Sequence, residues 1–258
     1  MTLAGRSWTG VPRSPLVLVP VGSCEQHGPH LPLTTDTTIA VAVADGVAER
    51  LLRDNPAAPV LVAPPITHTA SGEHQGFPGT MSIGAPVLRL VLVELVRSMA
   101  GWCGRVVFVN GHGGNLRSLA EAVTQLREER HDVAWVPCEP SSGGEGEGAD
   151  GPTDGPADAH AGFTETSLML HLAPRAVDMD RAVVGNTAPL AELLPAIVAG
   201  GVAAVAPSGV LGDPTAANAP AGERILHRMI GEISQLIEGG TADAHGRLRG
   251  AVTAGSAP

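Results

Sequence analysis

The sequence predicts one α/β domain in which a mainly parallel β-sheet is covered by helices on both faces. Five short runs rich in β-branched residues are apolar at nearly every position, which is typical of strands buried on both faces. Segments with helical periodicity lie between these runs, and this alternation predicts parallel strands joined by helices. The predicted strands are residues 16–21, 60–63, 105–110, 133–137 and 202–206, and the predicted helices are residues 37–52, 85–99, 116–128, 165–172 and 220–237.

Two segments depart from this alternation. Residues 139–158 consist almost entirely of Gly, Pro, Ser and acidic residues, so they predict a flexible acidic surface loop within the domain, which spans residues 1–238. Such a loop either covers a site or is a solvated insertion without a role. Residues 239–258 are predicted to form a disordered tail.

The composition excludes several classes of function. The net charge of −10 and an aromatic content of 2% argue against nucleic acid or an anionic membrane as a partner. All 16 basic residues are Arg, which excludes a Schiff-base lysine and a P-loop lysine. The three cysteines form no CxxC pair, and no apolar stretch suits a membrane span, so we expect reduced thiols in a cytoplasmic protein.

The loop after the first predicted strand carries the richest set of chemical groups. Glu25 and His27 lie two residues apart, so in extended chain their side chains face the same way. Asp36 stands where the first helix begins, where it acts either as a metal ligand or as an N-cap. Imidazole and carboxylate groups together suit Zn, Mn or Fe(II) better than Ca or Mg.

A glycine-rich turn follows the third predicted strand and carries His112. Its glycines, Gly113 and Gly114, would let the backbone approach a ligand closely. The alternative is an anion-binding nest at the start of a helix, but the glycines match neither GxGxxG nor a P-loop.

A third segment places Asp158 and His160 before a helix that carries Glu165 in its first turn. Glu165 either binds a metal or complements the helix dipole. Because ligands bind at the carboxyl ends of the strands in such sheets, we interpret the three segments as one metal site rather than three unrelated loops. Glu73 and His74, in a polar loop after the second strand, are expected to line the substrate pocket.

At these residues the chain resembles the creatininase family. The stretches that carry the resemblance are GSCEQHGPHLPLTTD, SGEHQGFPGT, NGHGGN and HAGFTETS. The resemblance implies a three-layer α/β/α sandwich, assembly into homo-oligomers, often hexamers, and a site for two divalent metal ions.

The resemblance also implies the ligands. Glu25, Asp36 and His112 would hold one metal, while His27 and Asp36 would hold the second, so that Asp36 bridges the two. In creatininase itself a Glu follows two residues after the histidine that His112 matches.

This chain has Gly114 at that position, which distinguishes it from the creatinine hydrolases. Glu165 is the expected replacement ligand. By the same resemblance, His160 would contact the substrate and transfer a proton, so we assign the catalytic roles to His160 and Glu165. Asp158 would orient His160, and the backbone amides of Gly113 and Gly114 would bind a substrate oxygen.

Within the family, the stretches RVVFVNGHGGN, GNTAPLAELLP and GGVAAVAPSGVLGDPTAA resemble peptidases that release a C-terminal Val-Tyr dipeptide from a decarboxylated precursor peptide. The sequence therefore predicts a metal-dependent hydrolase of a peptide or amide. Two alternatives remain. One is a family member that hydrolyses a small cyclic amide or a formamide, and the other is a metal- or nucleotide-binding module without catalytic activity.

Overall fold

Four parallel strands form the centre of the fold in the computed structural model, which describes residues 1–139 and 158–250. The sheet order is β2-β1-β3-β4, and a separate two-stranded antiparallel sheet joins β5 and β6. The strands are β1 Leu16–Val21, β2 Val60–Val62, β3 Arg105–Asn110, β4 Val133–Pro137, β5 Thr241–Ala242 and β6 Leu248–Arg249. The α-helices are α1 Thr35–Asp54, α2 Ala85–Met99, α3 Leu116–Glu128, α4 Phe163–Leu172, α5 Leu190–Gly200 and α6 Ala219–Gly239.

Alternate residues of the sheet face two separate apolar cores, which confirms the three-layer α/β/α prediction. On one face, Leu18 and Val107 belong to a core that includes residues of α1, α4 and α6. On the other face, Val19 and Phe108 belong to a core that includes residues of α2 and α3. Since both faces are covered, the strands are apolar throughout. In the described ranges no helix is both long and apolar enough to cross a bilayer.

The carboxyl ends of the two central strands lie side by side. Val21, the last residue of β1, pairs with Asn110, the last residue of β3. The next residue, Gly111, donates its backbone N–H to Val21 O at 2.8 Å. The loops that follow β1 and β3 therefore begin next to each other, as the parallel-sheet prediction requires.

The predicted strand at residues 202–206 is wrong. This segment begins with a 3-10 helix, Val202–Ala204, which follows α5, a helix that the sequence analysis did not predict. Gly201 separates the two with a φ of 74°, a backbone conformation that glycine adopts without strain. The apolar run is buried because Val202 packs in a small satellite core with Ile197 and Leu211, and not because it joins the sheet.

The predicted disordered tail is also partly wrong. Helix α6 extends to Gly239, and a short hairpin, β5–β6, follows it. The hairpin is held in place because Leu248 is buried in the core, while Trp135 of β4 donates its backbone N–H to Gly246 O at 3.0 Å. The rest of the tail, residues 251–258, and most of the predicted acidic loop, residues 140–157, lie outside the described residues.

Both outer strands of the sheet are covered by chain near the termini. Along β2, the Leu3 N–H donates to Val62 O at 2.8 Å, and the Val62 N–H donates to Met1 O at 3.1 Å. Along β4, Trp135 forms a parallel bridge with Arg247. The guanidinium carbon of Arg247 also lies 5.5 Å from the centre of the Trp135 ring.

Candidate metal centre

Asp36 stands at the centre of a buried cluster of imidazole and carboxylate groups. It lies in the first turn of α1 and is 1% exposed. His27 Nε2 lies 2.9 Å from Asp36 Oδ1, and His112 Nδ1 lies 3.3 Å from Asp36 Oδ2. Two donors bound to one tetrahedral Zn²⁺ at ordinary bond lengths are about 3.3 Å apart. Each oxygen of Asp36 is therefore spaced to share an ion with a different histidine.

The other ring nitrogen of each of these histidines is bound to a backbone carbonyl. His27 Nδ1 donates to Glu25 O at 3.2 Å, and His112 Nε2 donates to Ala70 O at 3.0 Å. A metal-binding histidine commonly donates its second N–H to a carbonyl in this way, which fixes the tautomer and the ring orientation. His27 Nε2 and His112 Nδ1 are thus the atoms presented to an ion.

Glu25 supplies the clearest sign that a cation belongs in this cluster. The residue is fully buried, and neither of its carboxylate oxygens has a hydrogen-bond partner among the described residues. Oε2 lies 3.2 Å from His112 Nε2, and Oε1 lies 3.3 Å from His74 Nε2. A buried carboxylate without hydrogen bonds is costly, and a bound cation removes that cost. Ligand atoms of Glu25, His27 and Asp36 all lie within 4.8 Å of one another.

Glu165 approaches the cluster from the start of α4. Its Oε2 lies 3.9 Å from His27 Nε2 and accepts a 2.6 Å hydrogen bond from the Ala161 N–H. Ala161 has a φ of 53°, so this bond holds a backbone conformation that is strained for a residue with a side chain. Ligand atoms of His27, His160 and Glu165 form a second group in which all lie within 4.8 Å of one another.

Gly114 is a glycine because the space beside it is filled. A Cβ at this position would overlap Ala70 O, Glu73 Oε1 and His112 Nε2. The Glu73 carboxylate therefore occupies the place from which a longer side chain at position 114 would reach the cluster. Its Oε1 lies 3.4 Å from His112 Nε2, and its side chain is 29% exposed. A carboxylate is thus present beside Gly114 as well as on α4.

His74 and His160 face Glu25 from a third side. His160 Nδ1 lies 3.9 Å from Glu25 Oε1, and the two imidazole rings have their centres 4.4 Å apart. Ligand atoms of Glu25, His74 and His160 form a third group in which all lie within 4.8 Å of one another. Both imidazoles contact the side chain of Gln26, a buried residue that the sequence analysis did not single out.

Burial and neighbouring charges shift the pKa values of the cluster in different directions. Burial alone would lower the pKa of His27 and of His112, but the nearby carboxylates outweigh it and raise both to about 10. Burial raises the pKa of Glu25 to about 7 and that of Glu165 to about 7. Burial opposes ionisation of Asp36 as well, yet the facing His27 and His112 hold its pKa below the ordinary range. A bound cation would replace the protons on the histidines.

The structure brings most of the predicted site residues together. The carboxylates and imidazoles converge as described, and Gly113 opens the 3-10 turn Gly113–Asn115 next to His112. Asp158 has a different contact from the predicted one, because its Oδ2 accepts a 2.7 Å hydrogen bond from the Thr164 N–H in the first turn of α4. His160 is instead held by Gln26, whose carbonyl O lies 2.8 Å from His160 Nε2.

The chain is similar to known proteins over most of its length. The family model for creatininase, described as creatinine amidohydrolase, matches residues 7–237. A mycofactocin precursor peptide peptidase of Mycolicibacterium smegmatis is 53% identical over 238 residues, which is 91% of this chain and 89% of that protein.

Solved structures show the same likeness. A mutant creatininase of Zn-Zn type superposes with a TM-score of 0.72 at 26% identity, covering 92% of this chain and 96% of that one. A creatininase with Mn superposes with a TM-score of 0.69 at 26% identity, with the same coverage.

Proposed function

Because the chain belongs to the creatininase family, we propose that it is the metal-dependent peptidase that releases the C-terminal Val-Tyr dipeptide from the decarboxylated mycofactocin precursor peptide. The similarity to mycofactocin precursor peptide peptidases over 91% of the chain supports this substrate. The observation that carries the chemistry is Glu25, whose buried carboxylate has no hydrogen-bond partner among the described residues and lies among imidazoles and a second carboxylate.

Five residues would hold two divalent ions in this site. Glu25, Asp36 and His112 would bind one ion, and His27, Asp36 and Glu165 would bind the other, so that Asp36 bridges them. The two oxygens of Asp36, each facing a different histidine, support the bridging role. The His and carboxylate donors suit Zn, Fe(II) or Mn. When bound, such ions polarise an amide carbonyl and lower the pKa of a water molecule.

His160 would move the proton in this reaction. Burial, together with the nearby His27 and His74, lowers the pKa of His160 well below its ordinary value, so the ring is neutral at physiological pH. A neutral imidazole accepts the proton of the attacking water and then donates it to the leaving amide nitrogen. The peptide bond breaks as this nitrogen takes the proton, and the dipeptide leaves with a free amine.

The substrate would enter on the side lined by Glu73 and His74. The 3-10 helix Gly72–His74 places both side chains against the cluster, and the partly exposed Glu73 marks its open side. The backbone amides of Gly113 and Gly114, in the turn beside His112, would bind a substrate oxygen.

The same proposal includes a cytoplasmic homo-oligomer, in line with the hexamers of the family. Three free cysteines, Cys24, Cys103 and Cys138, suit a reducing compartment. Exposed apolar side chains on α2 and α5, among them Leu90 and the 84% exposed Val198, offer surfaces for subunit contacts. Light scattering after size exclusion would give the number of subunits.

The decisive experiment incubates the metal-reconstituted protein with the decarboxylated precursor peptide and detects free Val-Tyr by mass spectrometry. We expect release that a chelator stops, and no release from the peptide that keeps its terminal carboxylate. A protein with two bound metals that releases no dipeptide would overturn the proposal. Hydrolysis of small cyclic amides or formamides would then identify an amidase of the same family, and no hydrolysis of any amide would identify a binding module.

A further inference from the structure

We propose that Gln26 fixes His74 and His160 in the same tautomer, with the hydrogen on Nε2, but in opposite orientations, so that His74 presents an N–H to the site and His160 presents a lone pair. Gln26 lies between the two proposed ligands Glu25 and His27, and its side chain is buried. The tautomers follow from the hydrogen bonds alone, while their catalytic meaning rests on the proposed peptidase function.

The orientation of the Gln26 side-chain amide is set by a backbone group. The Gly28 N–H donates to Gln26 Oε1 at 2.8 Å, and since an N–H only donates, the atom that it contacts is the amide oxygen. Gly209 packs directly against the same amide oxygen, because a Cβ there would overlap Gln26 Oε1. The amide nitrogen is thereby directed at the two histidines.

The two hydrogens of the Gln26 amide nitrogen have two acceptors. One is Gly209 O at 3.1 Å, a carbonyl that only accepts. The other is His74 Nδ1 at 2.8 Å, which must therefore carry a lone pair. A neutral imidazole with a lone pair on Nδ1 carries its hydrogen on Nε2. His74 thus presents Nε2–H to Glu25 Oε1, which lies 3.3 Å away.

Gln26 contacts the other ring nitrogen of His160. His160 Nε2 lies 2.8 Å from the backbone carbonyl O of Gln26, which only accepts, so Nε2 carries the hydrogen. His160 Nε2 also lies 3.0 Å from Gln26 Nε2, but both hydrogens of that amide are already used. His160 Nδ1 is left with a lone pair, 3.9 Å from Glu25 Oε1.

This arrangement gives the site a donor and an acceptor from two neighbouring rings. The Nδ1 lone pair of His160 is the atom that would accept the proton of the attacking water. The Nε2–H of His74 is a fixed donor for negative charge, either on Glu25 or on a substrate oxygen. Gln26 touches neither substrate nor metal in this scheme, so it is a positioning residue.

The test is the protonation state of the ring nitrogens, read by two-bond proton–nitrogen NMR correlation in the zinc-loaded protein near pH 7.5. His74→Gln and His160→Gln variants identify the two signals. We expect wild-type His74 to carry its hydrogen on Nε2 and His160 to carry its hydrogen on Nε2 as well, leaving Nδ1 unprotonated in both. Either ring protonated on Nδ1 would overturn the proposal.

The Gln26→Glu variant tests whether the Gln26 amide determines which ring nitrogen of His74 carries the hydrogen. Once ionised, its carboxylate only accepts, so His74 Nδ1 must gain a hydrogen, and we expect its nitrogen signal to move to the protonated position as the pH is raised above 7.5. Gln75→Glu makes the same charge change at an exposed residue next to His74 and should leave the signal in place. A His74 signal that stays unchanged in Gln26→Glu as the pH is raised would also overturn the proposal.

Activity provides a second readout of the same variant. We expect Gln26→Glu to lower kcat by roughly 10- to 100-fold, the range for groups that orient metal-site residues, with little change in KM. If the wild-type protein cleaves no peptide, the proposed function fails while the NMR result still decides the tautomers. The two failures are therefore distinguishable.

Discussion

Glu73 Oε1 lies 3.4 Å from His112 Nε2, and the same carboxylate fills the space beside Gly114. A carboxylate from a different loop thus lies beside the glycine that stands where the creatininase pattern has a Glu, in addition to the expected replacement, Glu165 on α4. The Glu73 carboxylate faces the ring nitrogen that His112 directs away from Asp36. Glu73 therefore supports the orientation of His112 in addition to its predicted place in the substrate pocket.

Replacing Glu73 with Gln removes this charge while keeping the shape of the side chain. We expect the affinity for zinc to fall by roughly 10- to 100-fold, as is usual when a partner of a metal-binding histidine is lost. Competition with a chromophoric chelator measures the affinity directly. Glu94→Gln, on the exposed surface of α2, is the control, and equal affinities in the two variants would contradict the role of Glu73.

Replacing Asp36 with Asn should remove both metal ions together. The amide offers only one acceptor atom, whereas each oxygen of Asp36 faces a different histidine. Metal content measured by mass spectrometry should fall from two ions per chain towards none, and peptide cleavage should be lost with it.

Asp45→Asn is the matched control, because Asp45 lies on the same helix, α1, but away from the cluster. It should keep both ions. An Asp36→Asn protein that retained one full equivalent of metal would show that Asp36 does not bridge.

Metal binding should release protons. In the metal-free protein the neighbouring carboxylates raise the pKa of His27 and of His112 to about 10, so both rings are charged at pH 8. Histidine must be neutral to bind a metal, so we expect about two protons to leave as the site fills. Calorimetry of zinc binding in two buffers with different ionisation enthalpies counts them, and a buffer-independent enthalpy would contradict this prediction.

The same shifts give the pH dependence of the metal-free fold. A histidine with a raised pKa contributes stability that is present below its unfolded value of 6.5 and is lost as the pH rises through about 10. Burial raises the pKa values of Glu25 and Glu165 from 4.5 to about 7. The free energy of unfolding therefore also falls as the pH rises from 4.5 to about 7. The lowered pKa values of His30, His74 and His160 have the opposite effect, but only below the unfolded value of 6.5. The Tm in the presence of a chelator should thus decrease between pH 7 and pH 10, whereas a constant or rising Tm over that range would contradict these charge states.

Gly222 fixes how closely α6 approaches the helix that carries Glu165. A Cβ at this position would overlap the backbone carbonyl of Ser167 in α4. We expect Gly222→Ala to lower the free energy of unfolding by about 1–3 kcal/mol, as overpacking does. Chemical denaturation measures this, and Gly239→Ala, at the open end of the same helix, should leave it nearly unchanged.

The sequence predicted the structure best where a pattern of side chains is compatible with only one type of secondary structure. Apolar runs such as residues 105–110 became central strands, and the parallel order brought Glu25 and His112 to one edge. The strand predicted at residues 202–206 was wrong because a short apolar run can pack in a satellite core as well as form a strand. Periodicity does not separate these two cases.

The contacts among loops were beyond prediction for a different reason. Gln26 and His160 are separated by 134 positions along the chain, and no local pattern links them. The same holds for Glu73, whose place beside Gly114 depends on how two loops pack. Such contacts depend on packing in three dimensions, so a sequence names the candidates but not their partners.

The segments that cover β2 and β4 also affect how the protein behaves in concentrated solution. An uncovered outer strand offers a row of free backbone groups with which another chain can pair, and this is a common route to aggregation. Here the segments around Leu3 and Gly246 occupy those groups along parts of both strands. These two segments thus help to prevent the outer strands from pairing with strands of neighbouring molecules.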